Sequence, residues 1–66
     1  MKMYTVHYAK LKDPVDAGSP ERALVLSAGF VARTYPGTDF GPALMVEQHS
    51  IFGGASRVVW TKGEDA

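Results

Sequence analysis

His7, Glu47 and His49 are the residues whose types come nearest to a known site chemistry. Two imidazoles and a carboxylate can hold a divalent metal when their ligating atoms converge to within about 2 to 2.2 Å of one centre. Glu47 and His49 are separated by one residue in an alternating stretch, so they share a strand face roughly 7 Å apart, and His7 joins them only from an adjacent strand in matching register. A solvated polar sheet face accounts for the same three residues, so neither a metal nor any other cofactor is expected.

Other chemistries find less. There is no cysteine, and Ser19, Ser27, Ser50 and Ser56 fall at cap, helix or loop positions that explain them. Carboxylate catalysis would need Asp39 with Glu47, or Asp13 with Asp16, in an apolar pocket that raises one pKa. A domain this short is not expected to enclose the roughly 300 Å³ that such a pocket takes. Gly53-Gly54 before Ser56 lacks the helix, lysine and further glycines of a phosphate loop, and a hairpin turn with positive φ accounts for it. The chain is therefore expected not to be an enzyme.

These residues must be positioned by 66 amino acids, which make a single small globular domain over 1–66. So short a chain buries only about 60% of its unfolded surface, and without cysteine it has no disulfide to offset thin stability. The same lack favours an intracellular setting, and the mixed polar and apolar start MKMYTVHYAK is unlike a signal peptide, so a cytoplasmic protein without a membrane span is expected. Seven Lys plus Arg balance seven Asp plus Glu with no block of either sign, which disfavours duplex nucleic acid as a partner.

Turn residues divide the chain. Asp13-Pro14 through Gly18-Ser19-Pro20, Pro36-Gly37 through Gly41-Pro42, and Gly53-Gly54 read as loops. Met3 to Ala9 alternates as a strand, with Tyr4, Val6 and Tyr8 on one side. Ala43 to His49 and Arg57 to Lys62 alternate likewise and form a hairpin. Between them SPERALVLSAGF opens with an N-capping Ser19, Pro20 at the first helical position and Glu21 beside the positive end of the dipole. Leu24, Val25, Ala28, Val31, Ala32 and Tyr35 then recur on one helical face, so the helix is expected to run to about Arg33. A rival reading stops it at Ala28, with Gly29 as cap and Phe30 to Tyr35 as a further strand.

The expected fold is α+β in two layers: one helix on a small, mostly antiparallel three-stranded sheet in the order β-α-β-β. The alternative is a short helix with a four-stranded sheet. With the helix over Tyr4, Val6, Tyr8, Leu44, Val46, Val58 and Trp60, the open face carries Thr5, His7, Met45, Glu47, His49, Arg57, Val59 and Thr61.

Large apolar residues on loops are anchors of protein interfaces when a monomer exposes them. The expected function is accordingly a non-catalytic protein-interaction module that docks onto a larger protein, as an accessory subunit or as a stoichiometric inhibitor of the size that phages and mobile elements encode. Phe40, Met45, Ile51, Phe52 and Arg57 are the expected contacts, with Asp39 and Glu47 at the rim. A second copy could serve as the partner, giving a homodimer. The alternative is single-stranded nucleic acid stacking on Tyr4, Tyr8 and Trp60 beside Lys2, Lys10, Arg57 and Lys62, although Trp60 and at least one tyrosine are expected in the core.

Overall fold

The computed structural model describes residues 2–37, 40–50 and 54–63. Five elements follow in order: β1 (Lys2–His7), β2 (Lys12–Ala17), α1 (Pro20–Thr34), β3 (Met45–His49) and β4 (Ser56–Thr61). The strands form one antiparallel sheet in the order β2-β1-β3-β4, and the helix packs on one face of it. The α+β class and the two layers are as expected.

The sheet has four strands among the described residues, the count of the alternative reading and not the three of the leading one. The fourth strand is Lys12–Ala17, a stretch read as loop because of Asp13, Pro14 and Asp16, and it is not the Phe30–Tyr35 strand of the rival reading. Position in the sheet explains why KDPVDA can be a strand. The Tyr8 N–H donates to the Leu11 carbonyl at 2.7 Å, so hydrogen-bonded pairs fall at alternate positions from there and Thr5–Pro14 is a non-hydrogen-bonded pair. The N–H that Pro14 lacks would therefore point away from β1, across the outer edge, where its loss breaks no ladder bond. β1 is antiparallel to both neighbours, so β2 and β3 run in the same direction and α1 links them across it.

α1 begins as its sequence dictates. Ser19 Oγ accepts from the Arg22 N–H at 3.2 Å, Pro20 opens the first turn and Glu21 lies within it. It continues through Gly29 to Thr34, and the Tyr35 N–H closes the last turn on the Val31 carbonyl at 3.0 Å, so the short-helix reading does not hold.

The buried face of the helix departs from expectation. Ala23 and Ser27 are fully buried and Leu24 packs beside them, whereas Val25 is 62% exposed and Ala28, Ala32 and Tyr35 also face outward. The cause is a polar contact that an apolar pattern does not reveal. Ser27 Oγ donates to Asp13 Oδ2 at 2.6 Å, which leaves its lone pairs to accept from the Tyr8 hydroxyl at 2.7 Å. Asp13 is itself buried, and this chain joins the helix to β2 and to the end of β1. Fully satisfied, such a group fixes one packing arrangement; unsatisfied, it would cost about 1–3 kcal/mol.

Around it lies a small core of Tyr4, Val6, Ala17, Ala23 and Val46, with Tyr8, Val15, Leu24, Ala43, Val59 and Trp60 packed against it. The helix lies chiefly over β2, less over β1 and least over β3. A bulge follows from the register of β4: Val46 pairs with Trp60 but Glu47 with Val58, so Val59 is the extra residue. That single insertion reverses the alternation expected at the start of β4. Arg57 pairs with Gln48 on the helix side, and Val58 faces the open side beside Glu47.

Candidate functional site

The open sheet face holds a short polar network. His7 Nε2 bonds Glu47 Oε1, Ser56 Oγ donates to Glu47 Oε2 at 3.1 Å, and Thr5 Oγ1 bonds His49 Nε2 at 2.6 Å. The strand register accounts for these contacts. Thr5 is opposite Glu47 and His7 opposite Met45, so each imidazole reaches a diagonal neighbour across β1 and β3. The His7 contact, followed by the Ser56 hydroxyl, holds the Glu47 carboxyl below its ordinary value of 4.5.

His7 and Glu47 are thus brought together, but His49 turns to Thr5. Among the described residues no group of three His, Asp or Glu side chains is placed to hold a metal ion. Asp13 and Asp16 share β2 yet lie three residues apart and so on opposite sheet faces, which leaves them unable to act on one substrate atom. Asp39, Ile51 and Phe52, three of the expected partner contacts, lie outside the described residues. Phe40 is half-buried and meets Tyr35 edge-on, with ring centroids 5.3 Å apart. Met45 and Glu47 stand half-buried on the open face, whereas Arg57 is exposed on the other.

Two surface clefts exceed the volume not expected of so short a chain, although both are open and neither is an enclosed pocket. The larger, about 510 Å³, runs between α1 and the outer edge of β2. Leu11, Val15, Leu26, Phe30 and Tyr35 give it an apolar lining, with Lys12 and Asp16 at its rim. Leu26 and Phe30 are 39% and 44% exposed. Neither was among the expected contacts, and their signal was a spacing of four on the helix, a second apolar stripe beside the one assigned to the core.

The smaller cleft, about 430 Å³, lies at the end of the sheet where β1 begins, β3 ends and β4 begins. Lys2, Gln48, His49, Ser50, Ala55, Ser56 and Arg57 line it. No family model matches the chain, and neither a curated protein nor a solved structure matches it. Among the described residues no helix is long and apolar enough to cross a membrane.

Proposed function

We propose that the chain is a non-catalytic interaction module that docks onto a larger protein, as an accessory subunit or a stoichiometric inhibitor, the inhibitor form by analogy of size alone. The cleft between α1 and β2 carries this reading, because it sets exposed apolar side chains beside a strand edge that no other strand among the described residues pairs with. Its occupant is an extended apolar segment of the partner, with side chains seated among Leu26, Phe30 and Tyr35. Along the outer edge, the N–H groups of Lys12 and Asp16 and the carbonyls of Lys12, Pro14 and Asp16 face the same way and offer main-chain bonds. Pro14 supplies no donor, which works against extension by an indefinite series of strands.

The single-stranded nucleic-acid alternative has less support. Tyr4 is sealed in the core and the Tyr8 hydroxyl is tied to Ser27, so two of its three expected stacking residues are engaged elsewhere. Self-association through β4, the other outer strand among the described residues, would leave the α1–β2 cleft unoccupied.

Capture of partners from a nuclease-treated lysate tests the proposal when wild type is compared with Phe30→Ala and Leu26→Ala. A partner protein held by wild type should be held more weakly by Phe30→Ala, by more than about 1 kcal/mol, with the thermal midpoint nearly unchanged because the side chain is partly exposed. Retention indifferent to both substitutions would remove this cleft from the function, and partners seen only without nuclease would favour nucleic acid.

A further inference from the structure

We propose that the cleft at the Lys2 and Ser56 end of the sheet is a binding site for a small phosphate monoester, held by Lys2, Gln48 and Arg57. The site is independent of the docking cleft. Lys2 on β1, Gln48 on β3 and Arg57 on β4 come from three neighbouring strands. Gln48 is paired with Tyr4 on one side and Arg57 on the other, and Lys2 shares the face of Tyr4, so all three side chains rise on the helix side of the sheet. The helix lies over β2 and β1 and only slightly over β3, so it leaves the β3–β4 side of this end uncovered, and the three meet in the same open cleft.

Charge and hydrogen bonding select the ligand. Lys2 and Arg57 contribute two positive charges, and no Asp or Glu lines the cleft among the described residues. Glu47, the nearest carboxylate along β3, belongs to the opposite face, where His7 and Ser56 occupy its oxygens. It therefore does not form an ion pair with Arg57. None of the hydrogen bonds or ion pairs among the described residues engages the side chains of Lys2, Gln48 or Arg57.

Two cations and an amide donor facing one space suit an acceptor with several oxygens and nearly two negative charges at neutral pH, which a phosphate monoester provides and a carboxylate does not. The planar guanidinium of Arg57 can take two of those oxygens together. At about 430 Å³ the cleft is larger than inorganic phosphate alone requires, leaving space over Ala55 for a small organic group on the ester. Two cations fall well short of the charged groove that tracks a nucleic-acid backbone.

The test is a titration of the whole chain with phenyl phosphate at constant ionic strength, followed by backbone and side-chain amide shifts in nuclear magnetic resonance spectra. Benzoate serves as the singly charged analogue with the same ring. Saturable shifts should concentrate at Lys2, Gln48 and Arg57, with phenyl phosphate binding about tenfold or more tightly than benzoate. Arg57→Gln and Lys2→Gln should each weaken phenyl phosphate by about tenfold while the remaining spectrum stays that of the folded protein, since both positions are exposed. Equal affinity for the two probes, shifts scattered over the surface, or titrations unchanged in both variants would overturn the site. Tighter binding of a short oligothymidylate, whose phosphates are singly charged diesters, would overturn it in favour of nucleic acid.

Discussion

The two hairpins of the sheet have opposite relations between strand pattern and burial. β2, with the sequence KDPVDA, has a composition that argues against a strand, yet Asp13 and Ala17 on it are buried and Val15 packs against the core. β4, with the sequence SRVVWT, is rich in β-branched and aromatic residues, yet it is exposed over its first half and Val58 retains 50% of its surface. The difference lies in the helix, which covers the first hairpin and stops short of much of the second. Strand propensity describes fitness for a pleated surface, and the third dimension decides which surface is covered.

The sharpest test of this contrast is Ser27→Ala. It removes a hydroxyl that donates to buried Asp13 and accepts from Tyr8, leaving both partners short of a bond beneath the helix. A loss of about 2 kcal/mol in urea unfolding is expected. Val58→Thr, which puts a hydroxyl on the uncovered hairpin, should change stability by less than about 0.5 kcal/mol. Equal costs at the two positions would mean that the helix does not divide the sheet as described.

The same division governs what could be read from the residues alone. The alternation of Met3 to Ala9 places Tyr4 and Val6 in the core, and Ser19-Pro20-Glu21 marks the helix start, because both signals are local. β2 is not legible in this way, since Pro14 and its flanking aspartates mark a turn unless the strand is known to lie at an edge. Ser27 is misplaced for a related reason: its partner Asp13 is distant in sequence, and only their contact makes a polar residue the centre of a buried helix face. On β4 one bulged residue moves Arg57 across the sheet and takes it out of the expected open-face site. His7 with Glu47 is the part of that site which register alone brings together.

Gly29→Ala probes the helix from its covered to its open side with a smaller expected effect. The residue is helical, and a methyl group there would meet only Arg33 Nη1 at 3.8 Å, an ordinary contact. Stability should rise by about 0.5–1 kcal/mol, because alanine lowers the backbone entropy lost on folding without requiring its neighbours to move. Destabilisation would show that the helix is interrupted after Ala28 and that its cover over the first hairpin is shorter than Pro20–Thr34.

The open face offers the finest discrimination, through the pH dependence of Glu47. Its folded carboxyl is held below 4.5, first by the His7 hydrogen bond and then by the Ser56 hydroxyl. A group whose folded pKa is depressed contributes stability above its unfolded value, and that contribution fades as pH falls through the folded value. The wild-type advantage over Glu47→Gln should therefore be present at about pH 6 and shrink steadily towards about pH 3, with a small amplitude because the carboxylate is screened by solvent. His7→Ala should reduce this pH dependence more than Ser56→Ala does, following the order of the two contacts. A wild-type advantage that stays constant over the same range would mean that β1 and β3 are not clasped across the open face, and that its polar residues are individually solvated.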